Sequence, residues 1–233
     1  MAAGILARVL DLLLPLRCVG CAVRGSLLCE ACLVVAPADR TPVPGPAGLP
    51  VCWSAALYEG AARQAILHYK ERGRTALVAP LAQALAFTIA TAVPRGPLVV
   101  VPVPSARRAV RARGHDPVGR LAALAVRHLA GLGRAVTLRA DLRQSRRVAD
   151  QAGLSAAQRA ANLASSLRVA QAGGVPLSGR SGAPVVLLDD VVTTGATLAE
   201  AARAIREAGA TVGVAVTVAA TRRKSVIHYG DGQ

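Results

Sequence analysis

The pattern of apolar and polar positions changes period along the chain. Leu98-Val99-Val100-Val101-Pro102-Val103-Pro104 and Val185-Val186-Leu187-Leu188 are continuous apolar runs, the pattern of strands covered on both faces of a parallel sheet. Cys52 to Tyr58, Val136 to Leu138 and Thr211 to Ala219 read as further strands, and Leu167-Arg168-Val169 leads to the strand at 185. Between them, helical spacing predicts helices over Gly60 to Tyr69, Leu77 to Ala92, Pro117 to Leu132, Ser155 to Leu163 and Leu198 to Ala208, the last closed by Gly209. Strands alternating with helices predict an α/β chain with a mostly parallel sheet flanked by helices. No internal repeat is present.

Breaks in this pattern suggest an organisation. Met1 to Leu16 is apolar but interrupted by Arg8 and Asp11 at helical spacing, which predicts a short amphipathic helix. Ala36 to Pro50 is rich in Pro and Gly and reads as an extended linker. The expected division is residues 1–36 as helix and cysteine element, 37–50 as linker, 51–220 as the main domain and 221–233 as a polar tail. Lys70-Glu71-Arg72-Gly73-Arg74 reads as a charged turn, and Arg139 to Ser155 as a polar, mobile segment.

Composition narrows the class. A chain of 233 residues can bury a sizeable core. It is 53% hydrophobic but only 2% aromatic, so Trp53, Tyr58, Tyr69, Phe87 and Tyr229 are too few and scattered for a base-stacking platform. No stretch of 18 charge-free apolar residues is read from the pattern, so no membrane insertion is expected. The N-terminus lacks the charged start and unbroken apolar run of a signal peptide, and a cytoplasmic location is expected. The net charge of +15 is carried almost wholly by arginine, with lysine only at Lys70 and Lys224. Such a chain suits polyphosphate or nucleic-acid partners, or simply has a soluble basic surface.

Four cysteines cluster as Cys18-x2-Cys21-x7-Cys29-x2-Cys32. Two C-x-x-C hooks on separate turns can close a tetrahedral thiolate site, usually for Zn²⁺, and four cysteines leave no open position, so the zinc would be structural. A redox pair or free thiols is the alternative. Cys52 stands apart and reads as a small buried residue.

The richest stretch is Val185-Val186-Leu187-Leu188-Asp189-Asp190-Val191-Val192-Thr193-Thr194-Gly195-Ala196-Thr197. A buried strand runs into two carboxylates, then into a hydroxyl-rich loop at a helix start. Backbone N–H groups around Thr193 to Thr197 lack intrahelical partners and sit in a positive field, ready for a phosphate dianion. Gly195 permits close backbone approach. Asp189 and Asp190 accept hydrogen bonds only, which suits a vicinal diol or the water shell of Mg²⁺. Together these describe a ribose 5-phosphate site. The plainer alternative is a buried strand whose Asp pair caps the next helix.

A second basic segment follows the strand at Leu98. Ser105-Ala106-Arg107-Arg108-Ala109-Val110-Arg111-Ala112-Arg113-Gly114-His115 carries four arginines, and it should open at the same sheet edge as the aspartate loop. Its arginines could grip a pyrophosphate or form a solvated basic turn. His68, His115, His128 and His228 show no mutual ligand spacing.

The stretch from Val185 to Thr197 resembles the phosphoribosyl pyrophosphate (PRPP) signature of type I phosphoribosyltransferases at all thirteen positions. With Cys18, Cys21, Cys29, Cys32, the Val101-Pro102-Val103-Pro104 strand, Arg113-Gly114, Gln151, Leu154, Arg159 and Asn162, the chain is similar to the ComF family over nearly its whole length. That resemblance implies a small zinc element joined to a type I phosphoribosyltransferase domain. It implies an enzyme that binds PRPP with Mg²⁺ and transfers phosphoribosyl to a nitrogenous acceptor, releasing pyrophosphate. Asp189, Asp190, Val191, Val192, Thr193, Thr194, Gly195, Ala196, Thr197, Ser105, Arg107, Arg108 and Arg113 are the implied PRPP-binding residues, with Asp189 and Asp190 catalytic. Gln151 and Arg159 fall where such enzymes keep a mobile covering loop. Association of the family with uptake of transforming DNA implies the alternative, a factor handling single-stranded DNA. One departure is visible: many relatives read R-G-F-N-Q where this chain has Arg113-Gly114-His115-Asp116-Pro117.

Overall fold

The structure, a computed structural model, describes residues 16–145, 165–170 and 182–222, with the backbone but not the side chain of Arg107. The expected N-terminal helix, the expected helix at 155–163, the positions Gln151, Leu154, Arg159 and Asn162, and the tail beyond Arg222 lie outside the described residues. In chain order the elements are β1 (Ala38–Asp39), β2 (Cys52–Leu57), α1 (Gly60–Glu71), α2 (Val78–Ala92), β3 (Leu98–Pro102), α3 (Arg107–Arg113), α4 (Pro117–Gly131), β4 (Val136–Leu138), β5 (Leu142–Gln144), β6 (Leu167–Val169), β7 (Val185–Val192), α5 (Ala196–Glu207) and β8 (Val212–Ala220).

A six-stranded sheet has the order β1-β2-β8-β7-β3-β4. β1 pairs antiparallel with β2, and every other neighbouring pair is parallel. The apolar run of β7 has a simple cause. Its even-numbered residues Val186 and Leu188 pack with α1, α2 and α4, while Val185 and Leu187 pack with α5 and the β5–β6 hairpin. Helices thus cover both faces, and a parallel strand between them has no polar side to show.

With so few aromatic residues the core is built from Ala, Val and Leu. α2 is its densest piece: Leu81, Ala82, Ala84, Leu85, Ala86, Thr88 and Ile89 are buried, and the Thr88 hydroxyl donates to the carbonyl of Ala84 at 2.8 Å. The expectation that no stretch has membrane-spanning length needs correction. Thr75–Ala92 reaches a mean hydropathy of 1.6 over 18 residues, and 44% of it is buried inside the fold. Its apolarity is that of a helix packed between the sheet and α4.

Four segments differ from their sequence pattern. The arginine-rich segment after β3 forms a helix, α3, because Arg and Ala are good helix formers and no Gly or Pro interrupts them. Gly114, at φ 73°, closes it in the left-handed conformation. Lys70 and Glu71 form the last turn of α1 rather than a loop, and the turn comes at Gly73. Within Arg139 to Ser155, Leu142–Gln144 is a strand paired antiparallel with β6. The Pro/Gly-rich segment contributes β1, and the Arg40 N–H donates to the Cys52 carbonyl at 2.8 Å.

Candidate active site and four-cysteine cluster

Strand alternation separates the two signature aspartates. Asp190 shares the face of Val186 and Leu188 and points toward α1, where the Lys70 ammonium pairs with its Oδ2. Asp190 is only 5% exposed, so this partner relieves a carboxylate that would otherwise be buried alone. Asp189 shares the face of Val185 and Leu187, is half-buried, and accepts the Asp190 N–H at 2.8 Å through Oδ1. Burial, and then the neighbouring Asp190 charge, push the Asp189 carboxyl well above the usual carboxylate range, against the pull of Lys70 and the Asp190 N–H. For Lys70, burial works to lower the ammonium, but Asp190 and Asp189 outweigh it and hold it above its ordinary value.

The loop after β7 turns at Gly195, φ 79°, directly into α5. No side chain caps that helix; the Thr194 Oγ makes one long contact with the Ala196 N–H at 3.4 Å. Thr193 is exposed, Thr194, Ala196 and Thr197 are half-buried, and Gly195 is buried at the carboxyl edge of the sheet. Val191 and Val192 finish β7, with Val192 buried. Leu49 from the Pro/Gly-rich segment packs on Gly195, where a Cβ would meet its Cδ2 at 2.7 Å.

β3 and β7 run parallel and in register from Val99–Val185 to Pro102–Leu188. The β3 loop and α3 therefore open at the same edge as the aspartates. Ser105 donates to Asp116 Oδ1 at 3.2 Å, and Arg108 is exposed. Arg113 is bidentate on Glu71 of α1, at 2.6 and 3.3 Å. A groove of about 420 Å³ lies here, lined by Lys70, Glu71, Gly73, Ala109, Ala112, Arg113 and His115.

Sequence patterning did not single out Lys70, Glu71, Glu200 or Arg203. Glu200 of α5 is buried, accepts the Leu167 N–H at 3.0 Å and pairs with Arg203 at 2.7 Å, while Arg203 donates to the Leu167 carbonyl at 3.0 Å. This pair bolts the β5–β6 hairpin to the helix of the signature loop. The one available signal for Lys70 is compositional: it is a lysine in a chain whose other cations, Lys224 aside, are arginines.

The sulfurs of Cys18, Cys21, Cys29 and Cys32 all lie within 4.8 Å of one another, with Cys21 and Cys29 3.6 Å apart. Tetrahedral Zn–S bonds of about 2.3 Å place sulfurs about 3.8 Å apart, so the donor set fits zinc. Burial opposes ionisation of Cys18, but the Cys29, Cys21 and Gly20 amides outweigh it and bring it to about 6. Cys32 is pushed up to about 12 by its Cys21 contact and by burial. Four cysteine sulfurs this close could hold a cation between them. The element docks on α1 through Gly20, where a Cβ would stand 2.7 Å from both the Ala61 Cβ and the Cys32 sulfur.

A search of curated proteins finds no match for this chain. Against protein families, the model of the phosphoribosyl transferase domain matches residues 120–231, which take in most of α4, the whole of β7, the signature loop, α5 and β8. The matched stretch, similar to a phosphoribosyl transferase domain, lies in a mostly parallel, helix-flanked sheet, with a four-cysteine cluster ahead of it.

Proposed function

We propose that the chain is a phosphoribosyltransferase that takes PRPP, with Mg²⁺, and passes its phosphoribosyl group to a nitrogenous acceptor with release of pyrophosphate. The observation that carries this reading is the juxtaposition of two strand-end carboxylates with an uncapped helix N-terminus turned by Gly195. In this reading Thr193 to Thr197 hold the 5-phosphate with backbone amides and hydroxyls. Asp189 and Asp190 accept from the ribose hydroxyls. Ser105, Arg107, Arg108 and Arg113 are the candidates for the pyrophosphate side. The carboxylate oxygens, and the water and ligand oxygens they orient, are the donor chemistry Mg²⁺ favours; bound there it would neutralise the departing pyrophosphate. Catalysis rests mainly on positioning and on stabilising the charge that separates between sugar and leaving group. The four cysteines hold a structural zinc, residues 51–220 form the catalytic domain, and a cytoplasmic location belongs to the same reading.

Calorimetric titration of the zinc-loaded protein with PRPP and Mg²⁺, beside Asp189→Asn/Asp190→Asn, is the test. Saturable binding lost in the variant, followed by base-dependent pyrophosphate release abolished by Asp190→Asn, is expected. Absence of binding in the unaltered protein sinks the enzyme reading. The net charge of +15 favours a second reading, a single-stranded DNA handling factor in which the PRPP pocket is regulatory. DNA affinity falling steeply with salt, without pyrophosphate release from any base, would favour it.

A further inference from the structure

We propose that Lys70 is a partner-switching residue: it neutralises Asp190 in the empty site and moves to the pyrophosphate group when a ribose ligand claims that carboxylate. The proposal rests on the PRPP reading above and adds to it a cation from α1, outside both the signature and the arginine segment.

Three observations support it. Lys70 is held by a well-anchored helix: Ala65, Ile66 and Tyr69 are buried, and the Tyr69 hydroxyl donates to the Pro117 carbonyl at 2.8 Å. Its ammonium lies on Asp190, with side-chain exposures of 27% and 8%, so neither charge is well solvated. The same lysine lines the groove of about 420 Å³ beside the pair, where Arg113 and Glu71 already neutralise one another. Lys70 is therefore the cation in that groove whose partner is a residue the ligand needs.

The exchange follows from charge pairing. A ribose hydroxyl donating to Asp190 competes with the ammonium for the same oxygens. A displaced ammonium this poorly hydrated needs a new anion. A pyrophosphate carried on the neighbouring carbon brings that anion into the adjoining groove. Lysine suits the task because a compact charge on a flexible stem can swing between two anions, whereas the planar guanidinium is bound by its fork geometry. The use of lysine here, against the arginine habit of the chain, fits that demand.

The test uses the full zinc-loaded chain and two probes, inorganic pyrophosphate with Mg²⁺ and ribose 5-phosphate. A charge-assisted contact is worth roughly 1.5–3 kcal/mol, so Lys70→Gln should weaken pyrophosphate by about 10- to 150-fold. Ribose 5-phosphate affinity should hold or improve, since Asp190 is freed. Equal loss of both probes would mean that Lys70 acts only through Asp190 and would overturn the proposal, as would no change in pyrophosphate binding. A second measurement needs no variant. Amine acylation of the unaltered protein, read by mass spectrometry, should show Lys70 protected by pyrophosphate and exposed by ribose 5-phosphate, with Lys224 as internal reference. Lys70 labelling indifferent to pyrophosphate overturns the switch. Binding of neither probe by the unaltered chain overturns the PRPP reading along with it, whereas binding of both with no effect at Lys70 overturns the switch alone.

Discussion

Leu49 packs on Gly195, so that a Cβ on the glycine would lie 2.7 Å from the Leu49 Cδ2 and 2.9 Å from its Cδ1. The Pro/Gly-rich segment thereby reaches the loop that turns β7 into α5. Gly195→Ala meets two penalties: a left-handed φ of 79°, at about 1 kcal/mol, and overpacking against Leu49, at about 1–3 kcal/mol. Adding Leu49→Ala should return the overpacking part and not the backbone part. Denaturant melts of the two single variants and the double variant measure that coupling; strictly additive losses would count against the contact.

Gly20 lies between Ala61 and the Cys32 sulfur. Gly20→Ala should loosen the cysteine element from α1 and cost about 1–3 kcal/mol. Chelation of zinc should cost more, because the element has little apolar core of its own. Thermal melts with and without chelator, together with a count of zinc released on thiol modification, check both. One zinc per chain is expected.

Asp189 predicts a pH effect of definite sign. Its folded-state pKa is raised, so the native chain holds the proton more tightly than the unfolded one. Its contribution is therefore most favourable below the unfolded value of about 3.9 and is lost as pH rises through the folded value. Asp189→Asn keeps an oxygen for the Asp190 N–H and removes the burdened charge. The variant should melt higher at pH 7, by about 2–4 °C for each kcal/mol relieved, with the advantage fading toward pH 4. In the PRPP reading proposed above, ligand binding should fall at the same time, a trade of affinity for stability.

Glu200 predicts a local effect. Glu200→Ala leaves the Leu167 N–H and one face of Arg203 without their partner, at a cost of about 2–3 kcal/mol. Glu200→Gln keeps an acceptor for the amide and should cost less. Hydrogen exchange at Leu167 should accelerate strongly in the alanine variant while amides in β3 stay protected. Equal acceleration in both places would point to global loosening instead.

Much of the sheet was readable because β3 and the first four residues of β7 are continuously apolar, and burial on both faces explains that pattern. The turn from β7 into α5 was readable because a Gly between an apolar run and a stretch of helical spacing marks a strand-to-helix junction. The helix at Arg107–Arg113 was harder, since a run of arginines resembles a solvated loop unless helix propensity is weighed. Lys70 was read as part of a charged turn, because nothing in the local pattern reveals that α1 carries it to Asp190.

By itself the chain sequence determined which residues are candidates for chemistry: the cysteine hooks, the aspartate pair and the hydroxyl loop are local patterns whose spacing reflects local geometry. Only the tertiary structure decided their partners. Lys70 meets Asp190 across 120 residues of chain, Glu200 meets Leu167 across 33, and Gly195 meets Leu49 across the sheet edge. Such pairings depend on how helices lie on opposite faces of one sheet, and that placement is set by burial summed over the whole core rather than by any short stretch.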